Sequence, residues 1–141
     1  MAKQEVALKS TNDLTISYQN IQKNGSLPSI KHAQRWSKAV LWSLSLNLSR
    51  KTKKQLAKAL PDEFASYLTR AFWLLHFRDK NKSRQEFFKE VAKRAGNTDA
   101  QFARMPTTAV FRELKQLIDA DISQDVADDL APEIREVWEQ A

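Results

Sequence analysis

The sequence predicts an all-α fold: a helical bundle of about seven or eight helices built from two pseudo-symmetric repeats. Composition is the first reason. Among 141 residues there are two Gly and four Pro, and the 42% that are apolar are rich in Leu and Ala, a balance that suits helices rather than sheets and turns. Periodicity is the second. Ile30, Ala33, Val40, Leu41, Leu44 and Leu48 recur at helical spacing and form one apolar stripe. The third is self-similarity at a fixed offset of 70 residues. Ala39, Val40, Leu44, Ala57, Leu60, Glu63 and Ala71 meet identical residues at Ala109, Val110, Leu114, Ala127, Leu130, Glu133 and Ala141. Leu41, Leu48, Leu56, Phe64 and Tyr67 meet Phe111, Ile118, Val126, Ile134 and Val137, all apolar, without a gap.

Each half then reads as the same order of helices. A first short helix covers about 13–24 or 83–95, and Ser83 with Glu86 supplies a capping box in the second half. Gly25 and Gly96 stand where a left-handed stop costs little. A longer helix follows at about 29–48 and 98–118, the second opened by a capping box of Thr98 and Gln101, with a kink or break expected at Pro106. Two short helices close each half: "TKKQLAKAL" and "SQDVADDL" turn inward through Leu56, Leu60, Val126 and Leu130, and the last helix starts at Pro61 or Pro132. The domain reading is one helical domain over 13–141, behind a loosely ordered segment at 1–12. Repeat one lies at about 17–71, a linker at 72–82 and repeat two at about 83–141.

"EFFKEVAKRAG" at Glu86 to Gly96, the "AV..L" cores at Ala39 and Ala109, and the helix starts "LP.E" at Leu60 and "L.PE" at Leu130 together resemble the bacterial family catalogued as domain of unknown function 2267. The likeness covers roughly Tyr18 to Ala141. It implies a cytoplasmic all-helical bundle with two related halves and no established activity, so it assigns no functional residue. Pro106 and the polar first helix around "TISYQNIQKN" depart from the family pattern.

With no cysteine, disulfides, thiolate metal sites and cysteine nucleophiles are excluded. The first 20 residues lack the apolar core of a signal peptide, and the run "AFWLLHF" at Ala71 to Phe77 is too short to span a bilayer. These features predict a soluble cytoplasmic protein with no membrane partner.

Charge is divided between the halves. Met1 to Leu60 holds eleven Lys or Arg against Glu5 and Asp13, whereas Asp119 to Ala141 holds eight acids against Arg135. Arg50, Lys51, Lys53, Lys54 and Lys58 make a basic face, with Trp36 nearby, that suits phosphate backbones; the alternative is a merely solvated helix face. Asp121, Asp125, Asp128 and Asp129 make an acidic face on the paired helix. Basic and acidic halves of two molecules could therefore meet, giving self-association. Trp42 and Leu46 lie off the main stripe and face Arg112 and Gln116 at the repeat offset. With Trp73 and Phe77 they form a candidate partner patch, or else they complete the core.

Catalytic constellations are poor. His32 and His76 are the only histidines and have no partner at metal-ligand spacing. Glu63 and Glu133 are equivalent carboxylates, an acid/base pair in principle, but each sits in a first helical turn, where negative charge favours the helix dipole. The acids near Asp119 and Asp128 lack the loop of a calcium-binding hand, and the two glycines are too far apart for a phosphate loop. The sequence thus predicts no catalytic residue, cofactor or metal ligand. Its leading functional reading is a non-catalytic interaction module binding a protein partner or itself; the alternative is a nucleic-acid binder using the basic face at 50–58.

Overall fold

A computed structural model describes residues 14–70, 80–97 and 99–141. Eight helices form and no strand is present among the described residues. They are α1 over 14–24, α2 (Ile30–Ser45), α3 (Arg50–Ala59), α4 (Asp62–Thr69), α5 (Arg84–Arg94), α6 (Gln101–Leu117), α7 (Ala120–Asp129) and α8 (Pro132–Gln140). The expected loosely ordered segment at 1–12, most of the linker at 72–82, Thr98 and the run at Ala71 to Phe77 lie outside the described residues.

Local chemistry sets most of the helix starts. Ser29 Oγ accepts the His32 amide at 3.3 Å, Ser49 Oγ the Thr52 amide at 3.2 Å and Asp119 Oδ1 the Ile122 amide at 2.9 Å, each relieving one of the orphan N–H groups of a first turn. Ser83 and Glu86 close the capping box that their spacing predicts, both bonds being present. At α6 the Asp99 carboxylate accepts the Gln101 amide at 2.9 Å.

Two expectations are corrected. At the end of α1 the left-handed residue is Ser26, with φ 52°, and not Gly25. The Leu27 amide reaches the Gln22 carbonyl at 2.9 Å and the Ser26 amide the Lys23 carbonyl at 3.3 Å, the two bonds of a Schellman stop. The end of α5 repeats this with Gly96 at φ 81° and the Asn97 amide on the Ala92 carbonyl at 2.8 Å. Gly25 is required by close approach instead, since a Cβ there would stand 2.8 Å from the Ile21 carbonyl oxygen. The second concerns Pro106, where of the expected kink or break the break does not occur, since α6 runs on from Gln101 to Leu117. The carbonyl deprived of its helical donor belongs to Phe102, four residues back, which is 64% exposed, so water can satisfy it.

α2 lies against α4, α5 and α6, α3 packs on α4 and α7, and α8 touches α5, α6 and α7. The shared core holds Leu41, Leu44, Leu56, Phe64, Phe111, Leu114, Val126 and Ile134. Some of the positions matched at the 70-residue offset are buried in both halves, as with Val40 and Val110, Leu41 and Phe111, or Phe64 and Ile134, whereas Ala57, Tyr67 and Ile118 are only half-buried. Phe111 stands between two aromatic neighbours, Phe87 at 6.0 Å and Trp138 at 5.1 Å, and the Trp138 indole N–H donates to the Ser123 carbonyl at 3.2 Å. Such pairs add directional attraction to the area they remove from water. Glu113, buried on α6, accepts from Ser17 Oγ at 2.9 Å and Asn20 Nδ2 at 3.0 Å, which ties α1 to α6 through a buried carboxyl group met by two side-chain donors.

Candidate functional site

The basic helix α3 does not present all its cations to solvent. Arg50, Lys51, Lys54 and Lys58 are exposed, but Lys53 is 3% exposed and lies on the inward face with Thr52 and Leu56. Desolvation, aided by the Arg50 charge, pulls the Lys53 ammonium below the usual lysine range. Lys53 is therefore not part of an anion-binding face. Trp36 is likewise removed from it, because at 6% exposure it belongs to the core.

The acidic helix is α3's own neighbour. The Ser49 amide, just before α3, donates to Asp129 Oδ2 at 2.8 Å. Gln55, Lys58 and Ala59 share one shallow groove of about 370 Å³ with Asp119, Asp121, Ile122 and Asp125. Asp121 and Asp128 are exposed, whereas Asp125 and Asp129 are half-buried. Asp128 accepts from Gln124 Nε2 at 2.9 Å and lies 3.5 Å from the Arg135 guanidinium. Faces that the sequence separates by 70 residues thus come together at Lys58, and an anion approaching that end of α3 meets the carboxylates that line the same groove.

The partner patch is only partly described. Trp42 and Leu46 are half-buried, with the Arg70 guanidinium 5.9 Å from the Trp42 ring centre, a cation–π distance. Trp73 and Phe77 lie outside the described residues. Large apolar side chains are exposed elsewhere: Phe102 at 64% and Met105 at 54% on the first turns of α6, with Ile16 and Ile30 less so. Sequence reasoning places this α6 pair inside a helix at about 98–118 but has no signal in spacing that leaves both side chains uncovered.

A second set of residues also escapes it. Lys31, Arg35, Lys38 and Trp42 recur at i, i+4, i+7 and i+11 along α2, a helix without a single carboxylate. The three cations are exposed. Arg35, Lys38 and Trp42 line a groove of about 490 Å³ whose other wall is Arg94, Ala95 and Gly96 at the end of α5. Arg94 is held there by Ser43 Oγ at 3.0 Å and by Glu90 at 3.7 Å. The available signal is the helical spacing of Lys31, Arg35 and Lys38, hidden by the denser lysine run at 50–58.

Glu63 and Glu133 serve different junctions. Glu63 Oε1 accepts the Tyr67 hydroxyl at 2.6 Å, and Tyr18 Oη lies 3.5 Å from Tyr67 Oη. Burial first, then this hydroxyl chain, pushes Tyr18 well above the ordinary phenol range; Tyr67 is also raised, chiefly by burial. Glu133 Oε1 instead accepts the Arg84 amide at the start of α5, at 3.2 Å. His32 Nδ1 lies 2.7 Å from Ser29 Oγ, and His76 is outside the described residues. Among the described residues no group of three or more His, Cys, Asp or Glu could hold a metal ion, and no helix is long and apolar enough to cross a membrane.

No curated protein matches the sequence. A family does: the one described as Uncharacterized conserved protein (DUF2267) matches residues 17–137, most of the chain, and the chain belongs to that family.

Proposed function

We propose that this chain is a non-catalytic binding module that takes single-stranded nucleic acid along the α2 groove. One observation carries the reading: exposed Lys31, Arg35 and Lys38 form a stripe on an acid-free helix, ending at Trp42 and faced across the groove by Arg94. Seven residues of helix put Lys31 and Lys38 about 10 Å apart along the axis, so the stripe follows a phosphate backbone rather than gripping one phosphate. Affinity then comes from released counterions, and the indole at the end of the stripe offers a face to a base. The basic face at 50–58 is the weaker site, because α7 sets carboxylates beside it.

The test is anisotropy of a labelled single strand of about 12 nucleotides. Three phosphate contacts give an affinity loss of about 20-fold between about 50 mM and about 200 mM salt. Arg35→Glu with Lys38→Glu is expected to abolish binding, while Lys51→Glu with Lys54→Glu weakens it less than about 3-fold. No binding of DNA or RNA strands at the lower salt would sink the proposal, as would equal losses in both double variants.

Duplication belongs to the same proposal. Arg35, Lys38, Ala39 and Trp42 of the α2 groove correspond, at the 70-residue offset, to Met105, Thr108, Ala109 and Arg112, and all four of these line a second groove. That matched placement supports two related halves whose grooves have diverged in chemistry.

A further inference from the structure

The second groove, of about 630 Å³, lies between α6 and α8, with Arg84 and Phe88 of α5 and Asn24 of α1 also lining it. Phe88, Ala109 and Val137 are its apolar lining, and Arg104, Met105 and Arg112 form the α6 side. Phe102 and Met105, the two most exposed large apolar residues among those described, stand on adjacent turns beside it. An aromatic ring and a thioether left in water so close together mark a contact surface more readily than a scattered surface hydrophobe does.

We infer that this α6/α8 surface is the interface for a second copy of the chain. Charge selects that occupant. On α6 the exposed Arg104 and Arg112 stand two turns apart and line the groove together with Arg84 of α5, whereas α8 exposes Glu133 and Glu136, which meet the Arg84 amide and guanidinium. A nucleic acid would meet the α8 glutamates, and so would an acidic peptide. A basic partner would meet the α6 arginines. A second copy related by a twofold axis meets neither conflict: in such a contact residue i faces j of the partner and j faces i, so the α6 cations lie against the partner's α8 acids twice over. Within one chain the reach of such a pair is already seen, since the Arg84 guanidinium lies 3.4 Å from Glu136 Oε2. The apolar pair supplies the attraction and the charges set the register, because exposed ion pairs add little affinity but strong selectivity. The interface shares no lining residue with the α2 groove, so it stands or falls apart from the nucleic-acid reading.

Light scattering on the full chain, up to concentrations on the order of 100 µM, provides the test. The expected mass at the upper end is twice the chain's 16.2 kDa. Phe102→Ser with Met105→Ser is expected to return it to one chain mass, with the helical circular dichroism unchanged. Arg104→Glu with Arg112→Glu, and Glu136→Arg in a separate chain, are each expected to be monomeric, and an equal mixture of the two to recover the dimer. A wild type that stays at one chain mass overturns the inference. So does a dimer indifferent to the Phe102 and Met105 changes, or a mixture that fails to reassociate. Single-strand binding that follows Arg104 and Arg112 rather than Arg35 and Lys38 would assign the surface to nucleic acid instead.

Discussion

The backbone amide of Ser49 donates to the Asp129 carboxylate across 2.8 Å, joining residues 80 apart in sequence. This bond places a negative charge at the N-terminal end of α3, whose own first turn contains no acid. It also ties the last residue of the aspartate-rich α7 to the start of the lysine-rich α3, two helices that pack on each other.

Removing that carboxylate strands a half-buried amide and withdraws an anion from the helix start. Asp129→Ala is expected to lower stability by about 1–2 kcal/mol, read as a shift in the urea midpoint with an unchanged slope. Asp128→Ala, one residue away but exposed, is the control and is expected to change stability by less than about 0.5 kcal/mol.

Lys53 gives a pH dependence of defined sign. Its folded pKa is lowered by desolvation, so between that value and the ordinary lysine pKa the unfolded chain binds more protons. Stability contributed by this group therefore rises as pH climbs toward the unfolded value and is lost as pH falls through the folded one. Lys53→Met keeps the stem without the charge, and the expected outcome is a flatter stability curve on the alkaline side of neutrality, followed by thermal melts at successive pH values.

The tyrosine chain acts in the opposite sense. Tyr18 and Tyr67 have raised folded pKa values, so their contribution is complete below the unfolded phenol pKa, about 10, and declines as pH rises beyond it. Tyr18→Phe is expected to blunt that decline at a cost below about 1 kcal/mol at neutral pH, since its hydroxyl partner lies at 3.5 Å. Tyr67→Phe loses the 2.6 Å bond to Glu63 and is expected to cost about 1–2 kcal/mol. Equal neutral-pH costs for the two variants would contradict this account.

Ser26 sits at φ 52°, in the left-handed region that a side chain disfavours. Glycine removes the Cβ conflict but loses more entropy on folding, so Ser26→Gly is expected to stabilise by a net amount of about 0.5–1 kcal/mol. A higher melting temperature for Ser26→Gly, beside a lower one for Gly96→Ser, is the paired result that checks it.

Local signals make much of this fold legible. The capping box of Ser83 and Glu86 and the stripe through Val40, Leu41 and Leu44 involve residues within a few positions of each other, so periodicity and side-chain chemistry suffice. The α2 cations are legible in the same way, by spacing alone, yet they stand in the shadow of the more conspicuous run at 50–58. Gly25 misleads for a local reason: a glycine adjacent to the stop draws the left-handed assignment, although the geometry falls on Ser26.

By itself, then, the sequence determined an all-helical chain, where most of its helices start and stop, and which stripe of each turns inward. Helix caps and 3.6-residue periodicity are properties of neighbouring residues, and they act before any long-range contact forms. Only the tertiary structure decided that Lys53 turns inward while Lys51 does not, that the acids of α7 lie beside the bases of α3, and that Phe102 and Met105 remain in water. Each depends on which surface arrives from elsewhere in the chain to cover a given helix face, and burial and electrostatic field follow from that approach rather than from spacing along one helix.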